Sequence, residues 1–268
     1  MTPLITINVI NDSSSIQDFY FFQQPAVFSR GQEVYSNSLY SEALLPYATS
    51  GAVLSFSMIP QNYAGMEEQV SPPEVGQPSG LLVAVQPIDL TPADRTPTNN
   101  TTTMPVSPSL GLSVPVWTPG PPPGSFRIAT PALNPTLSSY NAGPAVRSIA
   151  AGVIISSFVT VRPETNLDCA PVNIFYVQTG SYPPGSVLNF RTSSIRAALC
   201  DATAGFTTFN VAYNPDGTWT VEQTGADELA DGSLCEIEGP TDAISSRVAN
   251  AEIRNEDATA GSLVSDDS

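Results

Sequence analysis

The sequence predicts an all-β chain, an antiparallel β-sandwich or jelly-roll-like fold, on three observations. Its apolar residues come in short runs rich in Val, Ile, Phe and Tyr, each closed by Asn, Asp, Ser, Gly or Pro. Its 26 prolines in 268 residues are about twice the usual share. Proline fixes φ and removes a backbone donor, which disfavours long helices and suits edges, turns and extended arms. Finally, no helical pattern of about 10–15 residues separates the runs, which argues against a parallel α/β sheet. A chain of this length can bury roughly three-quarters of the surface its unfolded form exposes, so a core needs no covalent staple.

The first run, LITINVI (residues 4–10), is β-branched and ends in the turn-forming stretch Asn11-Asp12-Ser13-Ser14-Ser15. DFYFFQQ (residues 18–24) follows and Pro25 closes it, so the two runs read as a hairpin. Alternation puts Phe19 and Phe21 on one face of the second strand, Tyr20 and Phe22 on the other. Rings on both faces call for cover on both. One cover is the core; the other is the chain's own proline-rich arm or a second subunit.

Residues 51–59 and 80–88 read as further strands, and the polar, Pro- and Gly-punctuated stretch 60–80 as a loop. Residues 91–123 are nearly uncharged and rich in proline, yet carry Val106, Leu110, Leu112, Val114, Val116 and Trp117. A solvated linker gains nothing from so many apolar side chains, so this segment reads as an extended arm packed across a surface.

In the second half, residues 149–163, 171–180 and 187–195 read as strands. The sharpest local signal is FTTFNVAYNPDGTWTVEQ (residues 206–223). Phe209, Val211 and Tyr213 alternate into Asn214-Pro215-Asp216-Gly217, and Trp219 and Val221 alternate out. Proline presets φ in the turn and glycine takes the left-handed position, which makes a β-hairpin with those five side chains on one face. From Glu222 onward the chain holds 12 of its 25 acidic residues and two of its nine basic ones. The organisation expected is a β domain over 1–222 and an acidic tail over 223–268, with a short helix at 241–256.

Composition excludes much chemistry. All nine basic residues are Arg; the chain has neither Lys nor His. That rules out Ser-His and Cys-His nucleophile pairs, His-ligated zinc, a Schiff-base lysine and a phosphate-loop lysine. The net charge of −16 repels polyphosphate, so nucleic acid and anionic membrane are poor partners. Three cysteines, Cys169, Cys200 and Cys235, at wide spacing do not make a disulfide framework. The N-terminus lacks the charged and apolar regions of a secretory signal, and the longest uncharged apolar stretch falls short of a membrane span. The expectation is a soluble chain made in the cytoplasm.

What chemistry remains is sparse. Carboxylate pairs such as Glu67-Glu68, or Glu164 with Asp168, suffice for acid–base work of the glycosidase kind, but the plainer reading is solvated loop charge. Asp227, Glu228, Asp231, Glu236 and Glu238 offer hard oxygens to calcium without EF-hand spacing; the plainer reading is an acidic solubilising tail. No other cofactor is implied. Cys169 beside Asp168 reads as a buried, inert thiol, because a neighbouring carboxylate raises a thiol's pKa.

Binding is better supported. Phe19, Tyr20, Phe21, Phe22 and Trp117 are the candidate interaction surface, since aromatic residues are enriched at interfaces. Tyr35, Tyr40, Tyr47 and Tyr63 form a weaker candidate site for carbohydrate or another small ligand. The leading expectation is a non-catalytic structural or self-assembling protein, its partner another copy or another protein. The alternatives are a lectin-like module, calcium-dependent or not, and, last, an enzyme using carboxylates or Tyr.

Overall fold

The structure, a computed structural model, describes residues 4–29, 31–105, 110–135 and 137–225. Of the acidic tail expected over 223–268, residues 223–225 belong to the last strand, and the rest, with the expected helix and the five carboxylates proposed for calcium, lies outside the described residues. In chain order the first strands are β1 (Ile5–Asn11), β2 (Gln17–Gln23), β3 (Val27–Phe28), β4 (Tyr35–Leu44), β5 (Leu54–Glu68) and β6 (Leu81–Pro87). Then come β7 (Thr101–Thr103), β8 (Phe126–Ala129), β9 (Tyr140–Ser148), β10 (Gly152–Ile155), β11 (Ser157–Thr160) and β12 (Asn166–Ala170). The last are β13 (Ile174–Thr179), β14 (Val187–Leu188), β15 (Ala198–Asp201), β16 (Phe206–Tyr213) and β17 (Trp219–Gly225). Two short helices, α1 (Tyr47–Ser50) and α2 (Phe190–Ser194), accompany them. The protein is all-β, as its composition requires.

Thirteen strands form one mixed sheet, whose main path is β15-β13-β2-β4-β11-β9-β5-β1-β16-β17. Its two ends approach each other: the Trp219 indole N–H at the start of β17 donates to the Arg196 carbonyl beside β15 at 2.7 Å. The sheet is thus nearly closed into a barrel. Strict alternation in β1 turns Ile5, Ile7 and Val9 inward, where they meet Phe19 and Phe21 of β2, Phe56 and Met58 of β5, and Phe209 and Val211 of β16. Phe21 lies 4.9 Å from Phe56, and Phe19 meets Tyr213 and Trp219 edge-on at 5.8 and 5.9 Å. Each such side chain contributes about 1.5–3 kcal/mol by leaving water.

The remaining four strands make a second sheet, β3-β12-β8-β7. Its Phe126, Ile128, Leu167 and Cys169 pack against Ala64 and Met66 of β5, Ala142 of β9 and Val159 of β11. Arg127 of β8 and Asp168 of β12 face each other across this sheet and join in a bidentate pair, at 2.6 and 2.9 Å.

Several local expectations change. The first two runs are strands but not a hairpin: β1 lies between β5 and β16, and β2 between β13 and β4. The Asn11 side chain explains the turn between them. Its oxygen accepts from the Ser13 N–H and hydroxyl, and its NH₂ donates to the carbonyls of Ser15 and Leu44, which redirects the chain rather than folding it back. Nor is every pairing antiparallel: β1 runs parallel to β16 and β7 to β8, pairs whose connections are long enough to leave direction free. The stretch 60–80 is not all loop, because β5 continues to Glu68. A register shift between Ile59 and Tyr63 absorbs Pro60, and β6 and β9 then pair the continuation on both edges. Residues 187–195 hold a two-residue strand and then α2, because the Asn189 side chain accepts from the Thr192 N–H and caps a helix. The hairpin at 206–223 forms as read: Gly217 has φ of +84° and its N–H donates to the Asn214 carbonyl.

Candidate functional site

The four consecutive rings of β2 are buried: Phe19 0%, Tyr20 3%, Phe21 1% and Phe22 0% exposed. Phe19 and Phe21 fill the barrel. Tyr20 and Phe22 point outward, and their cover is neither the proline-rich arm nor a partner but this chain's own Tyr176, Tyr182, Leu188 and Phe190. Phe22 stacks on Tyr176 at 5.2 Å and Tyr20 meets Tyr182 at 4.8 Å. Burial pushes the phenols of Tyr20 and Tyr176 above their ordinary pKa. Within the single chain these rings are interior.

Trp117 is different. Thr101–Thr103, inside the proline-rich segment, is β7, and residues 113–118 run along its free edge. Val116 exchanges backbone hydrogen bonds with Thr101 at 2.8 and 2.9 Å, and the Ser113 N–H donates to the Thr103 carbonyl at 2.8 Å. The Asn100 side chain ties the end down, accepting from the Thr118 N–H and donating to its carbonyl, both at 3.0 Å. Met104 and Leu112 turn into the core between the sheets, whereas Val114, Val116 and Trp117 stand 77%, 54% and 44% exposed. An exposed apolar strip therefore rides on the edge of the second sheet.

The four tyrosines do not gather. Tyr63 is buried with Phe158, and Tyr35 packs against the same cluster, stacked on Phe158 at 5.3 Å. Tyr40 packs beside Phe21 and Phe56 of the barrel and donates its hydroxyl to Glu42, a bond that pushes its pKa up to about 12. Tyr47 stands exposed on α1. Of the four side chains that sequence proximity grouped, Tyr35 and Tyr63 share surroundings and Tyr40 and Tyr47 stand apart from them.

An open groove of about 480 Å³ lies on the outer face of β1, β16 and β17, and sequence reading did not single it out. It is lined by Asn8, Ile10, Val53, Asn210, Thr220 and Glu222. The Asn8 amide donates to Asn210 Oδ1 at 3.0 Å, and the Ser55 hydroxyl donates to Asn8 Oδ1 at 2.7 Å, which fixes the floor. The outward positions of β1 and β16 put Asn8 and Asn210 side by side in register.

The carboxylate pairs divide. Asp168 is committed to Arg127, so it is structural rather than a free acid or base. Glu68 is exposed, but Glu67 is buried, 5% exposed, and is not the solvated loop charge its sequence context suggested. Burial raises its pKa, while hydrogen bonding by the Ser79 and Asn141 side chains works in the opposite direction. Its Oε2 has no hydrogen-bond partner among the described residues. The cue that sequence reading lacked was the bulge at Pro60, which turns the supposed loop into a central strand. Cys169 and Cys200 are buried free thiols, both pushed up by burial, Cys169 further by Asp168. Among the described residues no three Asp, Glu, Cys or His side chains gather as metal ligands, and no helix is long and apolar enough to cross a membrane.

No known protein family, curated protein or solved structure matches the chain.

Proposed function

We propose that this is a non-catalytic structural or self-assembling protein, a sandwich-like β scaffold that binds other copies of itself through the edge of its second sheet. The observation that carries the reading is the strip Val114, Val116 and Trp117: apolar, exposed, and held to β7 through the Val116 backbone, with no strand on its other side among the described residues. An edge of this kind is a template for a further strand or an apolar face. The barrel supports the scaffold role, because its interior is filled by Phe19, Phe21, Phe56 and Phe209. The charge of −16 repels like copies, so assembly through an apolar strip strengthens as salt screens that repulsion.

Multi-angle light scattering at micromolar concentration tests it. The expected result is an oligomer whose population rises with ionic strength and falls when Trp117→Glu and Val116→Glu are introduced together. A monomer at every salt concentration overturns the reading.

A second reading, a lectin-like module, is favoured by the outer groove. Asn8, Asn210 and Glu222 present the amide and carboxylate groups that bind sugar hydroxyls. A glycan array, with and without calcium, tests it: binding that Asn210→Ala abolishes supports it, and a flat response rejects it.

A further inference from the structure

On the outer side of the large sheet, beside residues 77–80, lies a buried polar cluster. Glu67 of β5 and Asn141 of β9 are direct cross-strand partners. Ser79 joins them to Asn37 of β4: the Asn37 amide donates to Ser79 Oγ and the Asn141 amide donates to the Ser79 carbonyl, both at 2.9 Å. Asn37 also donates to the Ile155 carbonyl at 2.9 Å. Exposure is 0% for Asn37 and Asn141, 1% for Ser79 and 5% for Glu67. The Ser79 and Asn141 side chains also hydrogen-bond Glu67, yet Glu67 Oε2, Asn37 Oδ1 and Asn141 Oδ1 have no partner among the described residues.

Three buried acceptors without donors call for a partner. A proton on Glu67 supplies a single donor, which satisfies one carboxamide oxygen and leaves the other bare. Among the described residues the one ion pair, Arg127–Asp168, lies in the other sheet, so no arginine neutralises Glu67. A single cation can be coordinated by several oxygens, and carboxylate and carbonyl oxygens are the ligands that hard cations prefer. Charge balance selects its valence. One carboxylate with two neutral carboxamides matches a single positive charge, whereas a divalent ion leaves a net charge buried at high cost.

We propose that Glu67, Asn37 and Asn141 form a buried site for a monovalent alkali cation, sodium or potassium. The rise in the Glu67 pKa accords with a buried carboxylate lacking its counter-charge. The site is independent of any assembly through Trp117.

Thermal unfolding of the full chain near neutral pH, in sodium, potassium or choline chloride of equal ionic strength, tests the site. The expected result is a midpoint higher by roughly 5 °C in saturating sodium or potassium than in choline. Glu67→Gln, nearly isosteric and carrying its own donor, is expected to abolish the difference. Glu68→Gln, which changes net charge equally but at an exposed position, is expected to keep it. Excess sodium NMR line width in the wild type, competed by potassium, gives a readout that needs no variant. Equal midpoints in all three salts without excess broadening, a shift retained by Glu67→Gln, or stabilisation by calcium chloride alone overturns the proposal.

Discussion

Phe56 and Glu67 stand on one strand and meet opposite kinds of interior. Phe56 faces the barrel, where it packs in one apolar cluster with Ile7, Phe21 and Met58. Glu67 faces Asn37, Ser79 and Asn141, where direction and donor count decide stability. The barrel is held by area removed from water, which is additive and forgiving of small shifts. The polar cluster is held by hydrogen bonds, which contribute little net when made and cost more when one partner is lost. One sheet therefore carries a robust face and a demanding one.

The largest expected effect lies in the robust region. Phe56→Ala should destabilise the chain by about 3–5 kcal/mol, read from urea unfolding, because it opens a cavity in a packed interior. A loss below about 1 kcal/mol, within the range of ordinary surface substitutions, would break the description of a filled barrel. A smaller loss is expected at the demanding face. Asn37→Ala removes donors to Ser79 Oγ and the Ile155 carbonyl and should cost about 1–3 kcal/mol by the same measurement. A neutral Asn37→Ala would mean that the cluster is wetter than its burial indicates.

The smallest signal sharpens how dry the apolar regions are. Cys200 sits in the barrel and Cys169 between the sheets, with both thiols raised above the ordinary value of 9.0. A raised thiol pKa keeps the unreactive protonated form as pH rises through that value, so a Cys235→Ser chain should resist thiol labelling near pH 9 until it is unfolded. Prompt labelling of the native chain would show that water and reagent enter these interiors.

Much of the β architecture was legible because turn chemistry is local. The Asn-Pro-Asp-Gly sequence places a left-handed glycine where the 206–223 hairpin needs it, and alternation alone sorts Phe209 and Val211 from Asn210. The two faces of β2 were legible in the same way, but not what covers them. α2 depends on the Asn189 cap, a short-range signal outweighed by the β-branched residues around it. Of the candidate sites, Trp117 is exposed, whereas Tyr35, Tyr40, Tyr47 and Tyr63 share no common pocket. Glu67 was misread because a proline usually ends a strand, and here a bulge carries the strand past it.

By itself the sequence determined the β class, the turn of the 206–223 hairpin and the chemistry ruled out by the lack of His and Lys, since each depends on residue type or on neighbours within a few positions. Only the tertiary structure decided that β1 lies beside β16, that Tyr182 and Phe190 roof Tyr20 and Phe22, and that Glu67 is sealed among carboxamides. Those outcomes join residues far apart in the chain. Burial and non-local pairing arise from closing the whole sheet, which no short stretch encodes.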